Sequence, residues 1–241
     1  MNDFRFGIII PSYQDPRIIH SLRSIVKKDS NLLTRIYVID GGSSGQIIQE
    51  IKKNLRDTDI LITEEDQGIF DALNKGLDIV SEDYVGWLGS DDKYSEDFSF
   101  EEVRDLFSSR IDAIVYDTCF VSEGKVKRKS KARNLRMIRL GFHNPHFSTF
   151  LRASSLHNLR FDLSYGNLAD IFFFLNFFSK PNIEIRSIRK VACIMSLGGV
   201  SNNNLFQIIK NNVNIFFFLF KERGLFFAFI FTFNKILSKF V

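Results

Sequence analysis

The run Tyr84-Val85-Gly86-Trp87-Leu88-Gly89-Ser90-Asp91-Asp92 decides how the rest of this chain is read. An apolar strand that closes on two adjacent carboxylates puts negative charge at the carboxyl edge of a sheet, where open α/β folds bind ligands. Carboxylates that face one space repel each other unless a proton, a metal or a basic side chain lies between them. Hard divalent ions such as Mg²⁺ take this ligand set, with substrate phosphates completing the shell. The expectation is a metal–diphosphate site.

Upstream, the pattern alternates. Phe6 to Ile10 is a β-branched run stopped by Pro11-Ser12-Tyr13, and Ile18, Ile19, Leu22, Ile25 and Val26 follow at helical spacing. Arg35 to Asp40 reads as a second strand, Gly41 to Gly45 as a loop, and Ile47, Ile48, Ile51 and Leu55 as the next helical stripe. Asp59 to Thr63 and a helix from about Ile69 to Val80 make a third round before the Tyr84 strand. Strands alternating with helices of this length specify an α/β fold with a mostly parallel sheet and right-handed crossovers, so the loops after the strands converge on one edge.

Downstream, Phe98 to Phe107 reads as helix, Ala113 to Val121 as strand, Ala169 to Phe178 as helix and Ile183 to Met195 as strand. Between them, residues 125 to 139 hold eight Lys and Arg and no acid, which by default is a solvated loop. From Leu205 the chain is helical and rich in Phe. Leu205, Ile208, Ile209, Val213, Phe216, Phe217 and Phe220 fall on one face, and Leu225 to Phe233 is apolar all round. Lys210, Lys221, Arg223, Lys235 and Lys239 border these patches, as in a helix lying in an anionic bilayer surface; packing on its own domain or on a partner subunit is the alternative.

Bulk properties narrow the choices. The 241 residues are 45% apolar, enough for one large domain with an appendage, and the net charge of +4 is too mild to indicate nucleic acid. Cys119 and Cys193 sit in strand-like apolar surroundings and read as reduced core residues, which fits a cytosolic face. The amino terminus lacks the length and cleavage pattern of a signal peptide.

Three loops meet at the expected edge: Pro11-Ser12-Tyr13, Asp40-Gly41-Gly42-Ser43 and the acidic pair. None is G-x-G-x-x-G and no P-loop Lys follows the first strand, so neither a dinucleotide fold nor a P-loop NTPase is supported. Asp40 suits hydrogen bonds from a base or ribose, or alternatively opens a turn, and Tyr13 suits stacking on a base. On the third helix Ile69, Leu73 and Leu77 are expected to face the core. Asp71, Asn74, Lys75 and Asp78 share the opposite face, either as a site or as a solvated surface with an Asp71–Lys75 ion pair.

Taken in order, Pro11-Ser12-Tyr13, Val38-Ile39-Asp40-Gly41-Gly42-Ser43, Asp66 to Gly76 and Gly86 to Asp92 resemble the inverting glycosyltransferases of family 2, such as those of bacterial cell-surface polysaccharides. The similarity covers roughly residues 6 to 202. It implies a GT-A nucleotide-diphosphosugar transferase domain over residues 1–203, with residues 204–241 as a helical tail. By the resemblance Pro11, Ser12, Tyr13, Asp40, Asp71, Asn74, Lys75 and Asp91 serve the nucleotide sugar. Asp91 and Asp92 stand for the family's D-x-D element, with Asp92 the direct Mg²⁺ or Mn²⁺ ligand.

Asn144-Pro145-His146, Thr149 to Arg152, Arg160-Phe161-Asp162, Ala169-Asp170 and Leu197 to Ser201 are similar to the family's acceptor-side pattern. This makes Asp170 the candidate general base and Asp162 its reserve, and puts His146 and Arg152 on the acceptor and diphosphate side. Many relatives carry a further acid where this chain has Phe172. His143 and His146 are too few for a zinc site. The resemblance and the tail together imply a polyprenyl-linked glycan acceptor and a peripheral position on the inner face of the plasma membrane. A nucleotide-sugar-binding protein without catalysis is the alternative from a different class.

Overall fold

A computed structural model describes residues 4–107, 110–141, 146–197 and 205–237. His143, Asn144, Pro145, Gly198 to Ser201, Lys239 and the boundary at residues 203/204 lie outside the described residues.

The first half is the expected alternation: β1 (Phe6–Ser12), α1 (Ile18–Lys27), β2 (Thr34–Asp40), α2 (Gly45–Asn54), β3 (Ile60–Thr63), α3 (Ile69–Ile79) and β4 (Tyr84–Trp87). β1 pairs in parallel with β2 and β4, and β2 with β3, so Ser12, Asp40 and Thr63 end side by side. β1 is buried at every position, as a strand covered on both faces must be.

The second half contains β5 (Lys93–Tyr94), α4 (Phe100–Leu106), β6 (Ala113–Ser122), β7 (Lys125–Ser130), α5 (Leu135–Arg139), β8 (Thr149–Arg152), α6 (Ala153–Leu156), α7 (Ala169–Ser179) and β9 (Ile185–Ser196). The sheet order is β3-β2-β1-β4-β8-β6-β9-β5, with β7 paired to β6. β8 enters antiparallel between β4 and β6, which restores β6 and β9 to the direction of β1. The ends of β4, β6 and β9 therefore lie on one edge. Residues 125–139 are not the solvated loop that their charge implied: β7 and α5 occupy most of them. Pairing with β6 overrides the poor strand propensity of a lysine-rich run.

The main core packs around the sheet with clustered aromatics. Phe98 and Phe150 stack at 5.7 Å, and Trp87 meets Phe161, Phe173 and Phe174 at about 6 Å. A second core joins α7 to the hairpin of α8 (Leu205–Arg223) and α9 (Leu225–Leu237), through Leu168, Ile171, Phe172, Leu175, Ile215, Leu219, Ala228 and Phe231. Gly224, at φ +84°, makes the turn between the two helices. α9 also rests on the end of α5: Asn234 donates to the Leu140 carbonyl at 2.8 Å, and a Cβ at Gly141 would fall 2.5 Å from the Phe231 carbonyl oxygen.

The apolar face read on α8 divides between solvent and the second core. Ile209, Val213, Phe217 and Phe220 are exposed, while Ile215 and Leu219 carry the contact. Lys235 donates to Asn212 across the hairpin at 3.2 Å.

Candidate active site

Residues 88–92, expected to continue the strand, instead turn just past β4 and lead into β5, which pairs with β9. The Asp92 N–H donates to the Gly89 carbonyl at 3.2 Å. The Ser21 hydroxyl of α1 sits among the carbonyls of Gly89, Ser90 and Asp92, with its shortest contact, 2.6 Å, to Asp92. A Cβ at Gly89 would fall 2.5 Å from Asp92 Oδ2 and 3.4 Å from Asp91 Oδ1. Both carboxylates thus share the space above Gly89, where a side chain would displace them.

Asp92 is 3% exposed. Burial first, and the neighbouring Asp91 charge second, push its carboxyl up to about 7. Its Oδ1 accepts the Ser196 N–H at 3.0 Å, and the Ser196 hydroxyl donates to the Asp91 carbonyl at 2.8 Å, so the end of β9 clamps the pair. Arg17 Nη1 lies 3.2 Å from Asp91 Oδ2 while the same guanidinium pairs with Asp15, which also accepts the Ser90 hydroxyl at 3.0 Å. Asp15, Arg17 and Ser196 were not singled out from the sequence. The clue was available for Arg17: two acids meant for an anionic donor need a cation nearby, and it is the one basic residue in the first loop.

Such a pair, buried and mutually repelling, suits a divalent cation, which relieves both penalties at once. Among the described residues no cluster of three His, Cys, Asp or Glu side chains forms. Two carboxylates with the remaining positions left to phosphate and water is the arrangement Mg²⁺ commonly takes.

The adjoining loops make a cradle. Gly41 N–H donates to the Ser12 carbonyl at 2.8 Å, and Gln14 N–H to the Ser43 hydroxyl at 2.7 Å, fastening the β1 loop to the β2 loop. Asp40 is fully buried and opens the turn, accepting the N–H groups of Gly42 and Ser43 and the Ser43 hydroxyl. Tyr13 stands 64% exposed at the rim, next to a Ser12 hydroxyl that is buried with no partner among the described residues. Pro11 is the buried position before it. Asp66, also missed, lies over Gly41, where a Cβ would come within 2.5 Å of its Oδ2.

The polar face of α3 divides. Lys75 pairs with Glu64 at 2.8 Å and Asp71 at 3.8 Å and donates to the Glu65 carbonyl, so it holds the loop that carries Asp66. Asp71 accepts the Gln67 N–H at 3.0 Å. The Asn74 amide donates to the Phe161 carbonyl and accepts the Phe161 N–H, both at 2.8 Å, and so clasps α3 to the segment before α7. Asp78 pairs with Arg160 at 2.6 Å, and Ile69, expected in the core, is 45% exposed.

Across the edge, α7 presses Phe173 and Phe174 against Trp87, the last residue of β4, and Asp170 occupies its first turn. Asp170 Oδ2 lies 3.5 Å from His146 Nδ1, and the His146 ring packs on Phe147 and Phe174. Asp162 is exposed and caps its own turn by accepting the Ser164 N–H at 2.9 Å. Phe172 is buried, stacked at 3.9 Å on Tyr165 and edge-on to Phe218 of α8. β8 pairs Arg152 with Tyr84 at the start of β4, the end of that strand away from Asp91 and Asp92. There it donates to the Ile111 carbonyl and covers the Tyr84 ring.

The twin acids and the loop-built cradle lie at the carboxyl edge of the strands, where open α/β sheets bind ligands. The model of glycosyl transferase family 2 matches residues 7–173, and the chain belongs to that family, as a glycosyltransferase of the GT-A fold. PGL/p-HBAD biosynthesis glycosyltransferases of Mycobacterium tuberculosis and Mycobacterium bovis are 25% identical over 203 residues, covering 82% of this chain and 79% of theirs. Among solved structures, S. aureus TarS 1–349 in complex with UDP is similar with a TM-score of 0.67 at 17% identity, over 94% of this chain and 69% of that one. The mannosyltransferase PcManGT of Pyrobaculum calidifontis, in complex with GDP-Man and Mn²⁺, has a TM-score of 0.67 at 16% identity, over 98% and 73%.

Proposed function

We propose that this chain is a metal-dependent inverting glycosyltransferase that moves a sugar from a nucleoside-diphosphate donor to the hydroxyl of a lipid-linked glycan, at the inner face of the plasma membrane, in cell-surface polysaccharide synthesis. The observation that carries the reading is the convergence of Asp91 and Asp92 over Gly89, at the edge where the β1 and β2 loops form a cradle. The neighbours solved with UDP, UDP-GlcNAc and GDP-Man support a donor of this class.

In this reading Tyr13 stacks on the base, the Ser12 hydroxyl finds its missing partner in the nucleotide, and Asp40 and Asp66 set the loop that receives the base and ribose. Lys75 and Asp71 hold that loop in place. Asp92, with Asp91, would hold Mg²⁺ or Mn²⁺, which when bound neutralises charge growing on the departing diphosphate. Arg17 adds a second positive charge on the same side. Asp170, oriented by His146, accepts the proton of the acceptor hydroxyl as its oxygen bonds to the anomeric carbon and the bond to the diphosphate breaks. A base in this position contributes on the order of 10²–10⁴ in rate. Attack opposite the leaving group inverts the anomeric centre.

Asp92→Ala and Asp170→Asn are each expected to abolish transfer with circular dichroism and melting still those of a folded protein. Near-normal turnover by either folded variant refutes that residue's role. Screening nucleotide sugars for Mn²⁺-dependent thermal stabilisation identifies the donor, and binding without transfer or hydrolysis would favour a non-catalytic binding protein.

A further inference from the structure

The α8–α9 hairpin buries one side and leaves the other bare. Its inner side chains, Ile215, Leu219, Ala228 and Phe231, are spent on α7. On the outer side of α8, Ile209, Val213, Phe217 and Phe220 recur at three- and four-residue intervals; on α9, Phe226, Phe229, Phe233 and Ile236 do the same. Phe226 is 80% exposed, and Phe217 and Phe229 more than 60%. Two parallel apolar stripes of this kind are far more than the scattered hydrophobic residues of an ordinary surface.

The charge around them has one sign. Lys210 follows Ile209, Lys221 follows Phe220, and both are exposed. The only acid between residues 205 and 237 is Glu222, which is exposed and accepts the Tyr165 hydroxyl. α9 also sits directly on Leu140 and Gly141, where the acid-free basic segment 125–139 ends, which brings the exposed Arg136 of α5 near the hairpin.

We propose that this outward face docks in the plane of an anionic phospholipid bilayer, with the Phe side chains among the acyl chains and the Lys and Arg residues at the headgroups. Among the described residues no helix is long and apolar enough to cross a membrane, so the hairpin lies along the surface. A second copy of the chain is a poorer occupant, because self-pairing would bring the two lysine borders together without acids to meet them.

The docking itself does not depend on transfer chemistry. One consequence does rest on the function proposed above: Ile171 and Phe172 touch the hairpin and Asp170 directly precedes them, so docking sets the acceptor-side acid within about one helix turn of the lipid-bound element.

Flotation of the full chain with phosphatidylcholine vesicles, with and without phosphatidylglycerol, tests the proposal in the absence of donor and divalent cation. The wild type is expected to float with the anionic vesicles. The triple variant Phe226→Ser/Phe229→Ser/Phe233→Ser changes only exposed side chains, so its melting temperature is expected to match the wild type while its bound fraction falls at least about ten-fold. Lys210→Glu/Lys221→Glu is expected to lose the preference for anionic lipid, and Asp92→Ala to float like the wild type although transfer is lost. A wild type that stays with the soluble fraction overturns the proposal. So does a triple variant that floats equally well, or light scattering that finds a lipid-free dimer which the Phe variant dissociates.

Discussion

Asp92 is a carboxylate that the fold resists until something positive arrives. Its folded-state value of about 7 lies above the ordinary value near 4. Between those limits the native chain binds more protons than the unfolded one, so without a cation stability falls as pH rises through that window. Asp92→Asn removes the penalty: in chelator it should be the more stable protein at pH 8, by up to roughly 4 kcal/mol, and nearly equal to wild type near pH 4. Urea titrations at the two pH values check this, and Mn²⁺ at pH 8 should narrow the gap by stabilising the wild type alone. Gly89→Ala should fold but lose the Mn²⁺-induced rise in melting temperature, since the new methyl takes the position of Asp92 Oδ2; an undiminished rise would contradict the shared space described for the pair. The acids were legible because they end an apolar run, whereas the pairing of Arg17 with Asp91 was not, because the two meet only when the turn after β4 folds beside the first loop. The position of Arg152 in the sheet was not legible for a related reason. It follows His146 by six residues, but β8 runs antiparallel to β4 and carries it to Tyr84, at the start of that strand.

Among the elements, α7 explains both what periodicity revealed and what it hid. The helix was recognisable from its apolar content, but Phe173, Phe174, Phe177 and Phe178 face the main core while Ile171, Phe172 and Leu175 face the hairpin, so no polar stripe marks a surface. Phe172 is therefore a packing residue of the second core. Phe172→Asp should cost about 3–5 kcal/mol by losing the ring and burying a charge, and should not raise transfer. A folded variant of unchanged urea midpoint would show that the hairpin does not rely on this contact. The early β-α alternation was readable because each unit is local. The order β4-β8-β6-β9 was not, since it depends on pairings between residues as far apart as Ala113 and Ile185. β7 escaped notice for the opposite reason, its composition arguing against the strand that its partner imposes.

For the molecule as a whole, catalytic domain and tail share a core rather than a linker. A chain truncated before Leu205 should expose Leu168, Ile171, Phe172 and Leu175 together and aggregate, measurable as light scattering in a protein otherwise kept dilute and cold. A monodisperse truncated protein would mean that this second core adds nothing to solubility. The lysines of β7 have a consequence of their own. This strand pairs with β6 on one side, leaving a row of backbone donors and acceptors that would otherwise recruit a foreign strand. Lys125, Lys127 and Lys129 give every copy the same repellent fringe, so molecules crowded together in two dimensions resist zipping sheet to sheet.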